Sequence, residues 1–448
     1  MIEALGLVAP QAARQHNSVS LRGVFNMISF AQAQDNLHQL CRTWLVTHPD
    51  VSEPLALSES LGRYLTEDVI AALELPRSDV SAMDGYAVCS QDLEGAVTSQ
   101  VFTLKGESRA GEPYGGDPLA PGECVRIFTG AVVPESADTV VIQENVERDD
   151  ASVRMLQGTS LGANIRRRGE EIAAESVIAT AGQLITPNMI PLLASQGIAE
   201  VKVRAKLRVA FFATGDELKA AGDSLGEGDI YESNLASIAA VLRHYPIDLI
   251  NLGVVEDTPE AIKACLAEAS NNADVVISSG GVSVGDYDYV RQCVDAMGVV
   301  SDYKVAMKPG KPVCFGHIDG AENGQTLFFG LPGNAVSSFV VLTELYLPVL
   351  KYLLNRERVI PNTQLEAILE TDLSRRGGRL EFQRGVLSRD EGSTGPPSLR
   401  VSAMGSQDSH RVLGLARANC TIKIAADVEH ISAGSKVTVS VFPWTDLQ

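Results

Sequence analysis

The feature that most constrains the fold is an alternation of apolar runs and amphipathic segments between residues 206 and 350. The apolar runs are LRVAFFAT, IDLINLGVV, DVVISSGG and TLFFGLPG. In the segment after the first run, Leu235, Ile238 and Leu242 fall on one face of a helix. Strands that alternate with amphipathic helices predict a doubly wound parallel sheet with helices on both faces. The ligand crevice of such a sheet lies beyond the carboxyl ends of its strands.

Helical spacing also occurs before this region. Residues 30–47 have an apolar stripe that predicts one helix, and shorter helices are predicted over residues 58–64 and 186–193. Residues 1–26 have no such pattern, so we expect an unstructured leader, with Met27 as an alternative start.

Short β-rich runs separated by Gly, Pro and Ser occupy residues 67–154 and the chain after Pro361. The first stretch predicts a β domain built of hairpins, and the second a small barrel or sandwich. The fold class is therefore a multidomain α/β plus β protein.

Charge and cysteine usage narrow the function classes. The formal net charge is −19, which argues against nucleic acid or an anionic membrane as the main partner. The seven cysteines form no CxxC pair and indicate free thiols in a reducing, cytoplasmic compartment. Neither a run long enough to span a membrane nor a secretory signal is evident.

Two loops that follow predicted strands have residues suited to anions and cations. SSGGVSVGDYDY (278–289) offers backbone N–H groups to a phosphate, and its Asp286 and Asp288 offer oxygen ligands to a cation such as Mg²⁺. KPGKP (308–312) places two lysines on a loop stiffened by proline, where each acts as a point charge for an oxyanion. The alternatives are a tight turn with an Asp helix cap and a solvated turn.

Further strand ends carry an amide and several carboxylates. In LPGNAVSS (331–338), Asn334 is a predicted cap for a helix that starts at Ala335, whose positive end favours an anion. The segments ATGDEL (213–218) and DIYESN (229–234) add carboxylates, which would raise one another's pKa values unless a divalent cation neutralised them. Exposed acidic turns are the alternative.

Three other segments complete the candidates. NIRRRGEEI (164–172) has three arginines suited to phosphate, with an ion-pair network as the alternative. SAMDGYAV (81–88) is an irregular loop with Asp84, and GSQDSH (405–410) offers Ser409 to a phosphate or to a turn.

The order of these motifs along the chain resembles that of one family. The motifs are SAMDGYAV, RIFTGAVVP, NIRRRGEEI, FATGDEL, SSGGVSVGDYDY, KPGKP, GLPGN, GSQDSH and LARANC. Together they resemble the molybdopterin molybdenumtransferases, the MoeA-type family that includes the C-terminal domain of gephyrin. The resemblance covers nearly everything from Phe30 to Val441.

The resemblance implies a four-part architecture and an elongated homodimer. Its parts are a discontinuous central domain (27–66 and 155–205), an inserted β domain (67–154), a MogA-like α/β domain (206–356) and a C-terminal β-barrel (357–448). It also implies an active site between the α/β domain of one subunit and the β domain of the other.

The implied reaction joins adenylyl-molybdopterin and molybdate to give molybdenum cofactor and AMP, with Mg²⁺ required. Transient contacts with the adenylyltransferase and with molybdoenzyme acceptors follow from this place in the pathway.

The resemblance also implies roles for individual residues. The predicted catalytic residues are Asp84, Glu217, Asp288, Lys308 and Lys311. The predicted substrate-binding residues are Thr129, Arg167, Gly280, Gly281, Ser283, Gly285, Pro332, Gly333, Asn334 and Ser409. The predicted metal ligands are Glu171, Glu217, Glu232 and Asp288.

Three positions depart from the family pattern. Ala335 stands where the family usually has Pro, and Glu171 and Glu232 stand where Asp is common, which moves each carboxylate outward by one methylene. These substitutions leave a tungstate-specific or regulatory paralogue as an alternative. A gephyrin-like scaffold and an adenylylating pterin-binding protein are the other alternative functions.

Overall fold

In a computed structural model of the protein, the described residues are 27–93, 100–281, 289–320, 324–390 and 398–445. The chain divides into two compact units. The first unit lies within Met1–Pro49, Lys206–Leu353 and Arg358–Gln448, and the second is Asp50–Ala205 with Leu354–Glu357. Residues 1–26, where we expect a leader, lie outside the described residues.

The chain enters the first unit with strand β1 (Met27–Ile28) and helix α1 (Phe30–Thr47). Helix α1 begins at a capping box: the Ser29 hydroxyl accepts from the Gln32 N–H at 3.1 Å, and the Gln32 side chain accepts from the Ser29 N–H at 2.9 Å. Its buried stripe includes Leu37 and Trp44, and the Trp44 indole N–H donates to the Gln325 carbonyl at 2.6 Å. The predicted helix is confirmed. It lies in the first unit, and the assignment of residues 27–66 to the central domain stays a prediction.

The second unit consists mainly of short strands. Its elements are β2 (Ser52–Ala56), β3 (Val69–Ile70), β4 (Val80–Ser81), β5 (Gly85–Val88), β6 (Gln100–Ser108), β7 (Glu123–Ile127), β8 (Thr139–Ile142), β9 (Val146–Asp149), β10 (Ser152–Met155), β11 (Ile165–Arg166), β12 (Val177–Ala179), α2 (Ile190–Ser195) and β13 (Glu200–Arg204). Strands β5 to β10 form one sheet in the order β8-β5-β7-β6-β10-β9. Three further pairs, β2–β13, β3–β12 and β4–β11, flank this sheet in the sequence, since one strand of each pair precedes β5 and the other follows β10. The boundaries at residues 66 and 155 stay predictions.

Two short helices of this unit differ from expectation. Residues 58–64 contain only part of one 3₁₀ turn, Leu57–Glu59, because Tyr64 instead bridges to Leu184 in an antiparallel β contact. Helix α2 starts at Ile190 rather than near Thr186, whose hydroxyl bonds to Asn188 in the turn before the helix.

The α/β region follows in the first unit. Its elements are β14 (Leu207–Thr214), β15 (Leu218–Lys219), β16 (Ile230–Tyr231), α3 (Asn234–Leu242), β17 (Ile247–Val255), α4 (Pro259–Asn272), β18 (Val275–Ser279), α5 (Tyr289–Met297), β19 (Gly298–Val305), β20 (Met307–Lys308), β21 (Pro312–Asp319), β22 (Gln325–Leu331), α6 (Ala335–Val341) and α7 (Leu347–Asn355). The sheet order is β1-β19-β21-β22-β18-β14-β17.

The predicted parallel sheet is confirmed for β17, β14, β18 and β22. Strand β21 runs antiparallel to both β22 and β19, so the sheet as a whole is mixed. Only residues 320–324 separate β21 from β22, and the Gly320 N–H donates to the Gly324 carbonyl at 2.7 Å. A connection this short permits only an antiparallel pair.

The helix Ala335–Asn355 runs through α6, a π-helical turn (Leu342–Tyr346) and α7. It is long and apolar enough to cross a membrane, but 94% of its most apolar window is buried inside the protein, as in a core helix. Glu344 in the π turn accepts hydrogen bonds from Thr421 at 2.8 Å and Ser440 at 3.2 Å, and burial raises the pKa of its carboxyl.

A closed barrel ends the described chain. Its elements are β23 (Gln364–Leu369), β24 (Leu373–Ser374), β25 (Leu380–Asp390), β26 (Ser398–Ala403), α8 (Val412–Ala416), β27 (Cys420–Ile424), β28 (His430–Ile431) and β29 (Lys436–Val441). Strands β25-β26-β23-β29-β27 close through pairing of β27 with β25. The predicted C-terminal barrel is confirmed. Strand β20 pairs in parallel with β25, which attaches the end of the α/β region to the barrel.

Candidate functional site

A cavity of about 740 Å³ lies where the KPGKP loop meets the barrel. Because β20 pairs Lys308 with Glu381 of β25, the loop that follows is held against the barrel wall. The charged and polar residues that line the cavity include Lys308, Lys311, Ser337, Thr371, Asp372, Ser374, Arg375, Arg379, Glu381, Gln383, Gln407, Asp408 and Ser409. The structure therefore brings the predicted Lys308, Lys311 and Ser409 together.

The cations of this cavity differ in how they are paired. The Lys308 ammonium lies 3.0 Å from one oxygen of Glu381, and Arg375 lies 3.1 Å from the other. Among the described residues, no carboxylate forms an ion pair with Lys311 or Arg379. Two cations are thus available to an anion, with the hydroxyls of Ser337 and Ser409 beside them.

The GSQDSH loop is fixed from both sides. Its Ser409 carbonyl accepts from the Val336 N–H in the first turn of α6 at 3.3 Å. From the barrel, the buried Arg384 donates to the carbonyls of Ser406 at 2.9 Å and Arg411 at 2.8 Å. The loop is therefore a rigid part of the cavity wall.

The glycine-rich turn after β18 meets the turn after β22. Gly280 and Gly281 both have positive φ, and a Cβ on them would lie 2.7 Å from the Thr214 carbonyl oxygen and 2.4 Å from a Val290 methyl, respectively, so only glycine fits. The Gly280 N–H donates to the Leu331 carbonyl at 3.1 Å. Predicted residues of both turns are thus neighbours, whereas Ser283, Gly285 and Asp288 lie outside the described residues.

Asn234, which the sequence reasoning missed, joins these two turns. Its side-chain amide donates to the Ser279 hydroxyl at 2.8 Å and to the Gly333 carbonyl at 2.7 Å. Asn234 is the last residue of the DIYESN segment, in which we had predicted a role only for the carboxylates. Pro332 is buried beside this contact, and Asn334 occupies the cap position of α6 without the predicted side-chain hydrogen bond.

The predicted acidic residues of the α/β region are not gathered into one cluster. Glu217 is exposed in the loop after β14, and its side chain folds over Gly215. Glu232 accepts from the Leu235 N–H at 2.8 Å, so one of its oxygens caps α3. Within the described ranges, no three His, Cys, Asp or Glu side chains lie close enough to hold one metal ion.

In the second unit, Asp84 and Thr129 form a pair. One Asp84 oxygen accepts from both the N–H and the hydroxyl of Thr129, each at 2.8 Å. The backbone and then the side-chain hydrogen bond from Thr129 hold the pKa of Asp84 below its ordinary value. Arg126 lies behind the pair and donates to the Gly85 carbonyl at 3.1 Å. The structure thus joins two predicted residues that are 45 positions apart.

Two of the three arginines of NIRRRGEEI are engaged in ion pairs. Arg167 lies 2.5 Å from an Asp79 carboxylate oxygen, and Arg168 pairs with Glu74. This is the network that we considered as the alternative to phosphate binding. Glu171 is exposed, and its role as a metal ligand stays a prediction.

Comparisons with known proteins match most of the chain to one family. The family profiles that match are the MoeA N-terminal region (domain I and II) over residues 28–197, a probable molybdopterin binding domain over 210–352 and the MoeA C-terminal region (domain IV) over 366–442.

Two curated relatives have the same name. The chain is 36% identical over 395 residues to the molybdopterin molybdenumtransferase of Haemophilus influenzae, covering 88% of this chain and 95% of the relative. It is 33% identical over 386 residues to that of Nostoc sp., covering 85% and 87%. A solved molybdopterin biosynthesis MoeA protein from Pyrococcus horikoshii has a TM-score of 0.75 at 26% identity, covering 94% of this chain and 100% of that one.

Proposed function

Because this chain belongs to the MoeA family of molybdopterin molybdenumtransferases, which are enzymes of molybdenum cofactor biosynthesis, we propose that it inserts molybdate into adenylyl-molybdopterin and releases AMP. The family predicted from the motif order is confirmed. The identity of the two substrates and of the leaving nucleotide is our proposal.

The observation that carries this proposal is the cavity between the KPGKP loop and the barrel. Molybdate is a tetrahedral dianion, and the cavity offers Lys311 and Arg379, two cations without carboxylate partners in the described part of the chain, together with Lys308. A dianion that binds there exchanges water for charge-assisted hydrogen bonds. The Ser337 and Ser409 hydroxyls provide further donors to its oxygens.

The glycine-rich turn supports the nucleotide part of the proposal. Gly280 and Gly281 allow a phosphate to approach the backbone without a Cβ in the way. The Asn234 amide, which donates to Ser279 and Gly333, links this turn to the turn after β22. In this proposal the lysines hold molybdate while its molybdenum binds the two dithiolene sulfurs, and one molybdate oxygen leaves as water with the two thiol protons. The phosphoanhydride is cleaved by water, with catalysis by positioning and charge neutralisation.

Mg²⁺ is part of the proposal. Glu217 is an exposed carboxylate with no ion pair among the described residues, and Mg²⁺ usually binds through about one or two carboxylates with substrate phosphates and water. Glu217 and Asp288 would hold the ion, which would neutralise charge on the pyrophosphate. Glu232 suits this role less, because one of its oxygens caps α3.

We further propose a cytoplasmic homodimer in which Asp84 and Thr129 complete the active site of the partner subunit. The second oxygen of Asp84 has no hydrogen-bond donor among the described residues, so it remains available to a substrate. Transient contacts with the adenylyltransferase and with molybdoenzyme acceptors are part of the same proposal.

The experiment is molybdate-dependent release of AMP from adenylyl-molybdopterin with Mg²⁺. We expect Lys311→Ala to lower kcat/KM for molybdate by about 10-fold or more, because a cation that binds the dianion is lost. Lys436→Ala is the matched control, since Lys436 is an exposed barrel lysine paired with Glu366 at 3.2 Å. AMP release that ignores molybdate, or equal activity in both variants, would overturn the proposal.

A further inference from the structure

Glu381 is a buried carboxylate in the wall of the oxyanion cavity. Its side chain is only 2% exposed. One oxygen accepts from Lys308 at 3.0 Å and from the Gln383 amide at 3.1 Å, and the other accepts from Arg375 at 3.1 Å. A buried carboxylate is costly unless it is paired and hydrogen-bonded, and Glu381 meets both conditions.

Arg375 is itself immobilised by the barrel. Its guanidinium donates to the carbonyls of Val428 and Arg379, each at 2.8 Å, and to that of Ala425. Because these donors are committed, Arg375 is an anchor for Glu381 rather than an anion ligand. The carboxylate position is therefore set by the barrel.

Lys308 is the more exposed partner of this ion pair. Its side chain is 43% exposed, and a lysine is a point charge on a flexible stem with several rotatable bonds. The ion pair to a fixed carboxylate limits where its ammonium lies. The same carboxylate also puts a negative charge in the wall of a cavity that must bind a dianion.

We propose that Glu381 is a positioning and specificity-determining residue, which fixes the Lys308 ammonium and offsets part of the positive charge of the cavity. The inference rests on the proposed function, because it concerns the same oxyanion. Sulfate has the charge of molybdate and a smaller radius, so a fixed ammonium favours the larger anion. Without the ion pair to Glu381, the Lys308 ammonium could approach sulfate and molybdate equally closely.

Replacing the Glu381 carboxylate by an amide removes its charge and keeps the shape of the side chain. In Glu381→Gln the cavity gains one net positive charge and Lys308 loses its ionic partner. We expect inorganic sulfate to bind about 10-fold more tightly, the preference for molybdate over sulfate to shrink, and kcat for AMP release to fall about 10-fold. Tighter anion binding with slower turnover is not what loss of a merely structural contact produces.

Titration calorimetry with inorganic molybdate and with sulfate measures the affinities, and AMP release measures turnover. Glu344→Gln is the matched control, because Glu344 is another buried carboxylate of the same unit but does not line the cavity. We expect this control to keep wild-type affinities and turnover. Glu381→Asp retains the charge, so its sulfate affinity should stay near that of the wild type even if Glu381→Gln fails to fold.

A double-variant cycle tests whether Glu381 acts through Lys308. If it does, kcat of Lys308→Met/Glu381→Gln equals kcat of Lys308→Met alone. Additive losses, or a sulfate affinity in Glu381→Gln that is unchanged or weaker, overturn the inference while a functional wild type leaves the proposed function standing. A wild type that neither binds molybdate nor releases AMP overturns the proposed function itself.

Discussion

At the scale of single residues, Thr129 controls the ionisation of Asp84. Both Thr129 donors go to the same carboxylate oxygen and stabilise the charged form, so Asp84 stays ionised below the pH at which an ordinary Asp takes up its proton. If the charged form is the active one, the acid limb of the pH–rate profile lies at a lower pH than an ordinary Asp would give.

Thr129→Val removes the hydroxyl donor and keeps the N–H donor. Because loss of that hydrogen bond raises the pKa of Asp84, we expect the acid limb of kcat/KM for AMP release to move to higher pH. Rates measured between about pH 4 and about pH 8 follow this limb. Thr103→Val, at an exposed position of β6 in the same unit, is the control. An acid limb that does not move would exclude Asp84 as the titrating group.

At the scale of structural elements, the KPGKP loop depends on Gly310. Gly310 has φ +95°, and a Cβ there would lie 2.3 Å from a Val341 methyl in the core helix. The loop can follow this path only with glycine, and the path sets the positions of Lys308 and Lys311.

We expect Gly310→Ala to weaken molybdate binding about 10-fold or more, because the loop must move away from the helix and displace both lysines. Gly111→Ala is the matched control: Gly111 also has a positive φ, of +80°, but nothing lies within 4 Å of the added carbon. That control should lose about 1 kcal/mol of stability and no molybdate affinity. Equal affinities in the two variants, measured by calorimetry, would contradict a positioning role for the loop.

The same elements show how far the sequence could predict the structure. Local signals sufficed for α1, whose cap and stripe lie within one segment, and for the four parallel strands with their following turns. Strand β21 itself was missed, because Pro312–Asp319 was not among the apolar runs that we read as strands. Its antiparallel direction depends on the short connection to β22 rather than on either run.

The cavity residues of the barrel were missed for a different reason. Arg375, Arg379 and Glu381 become neighbours of Lys308 only through the pairing of β20 with β25, which joins positions more than seventy residues apart. No local pattern encodes such a pairing. Lys308, Lys311 and Ser409 were found in the local motifs KPGKP and GSQDSH, and the resemblance added their roles, whereas the carboxylate that holds Lys308 belongs to none of these motifs.

At the scale of the whole molecule, the two compact units have separate apolar cores. Cooperative units of this kind can unfold in separate transitions. The cavity between the KPGKP loop and the barrel lies entirely within the first unit.

We expect scanning calorimetry with inorganic molybdate to raise the transition of the first unit alone. At a ligand concentration of about 100 times Kd, mass action stabilises the binding-competent unit by about 2.7 kcal/mol. Lys311→Ala should abolish the shift, and Lys436→Ala should retain it. A shift confined to the second unit would place the anion elsewhere.

The discontinuity of the first unit has a consequence for how the protein is made. Helix α1 leaves the ribosome early, but Trp44 bonds to Gln325, which is 281 positions later in the chain. At roughly 5–20 residues per second, that interval is roughly 14 to 56 s. For this time the nascent chain carries an amphipathic helix whose apolar stripe lacks its native partners, while residues 50–205 can already collapse.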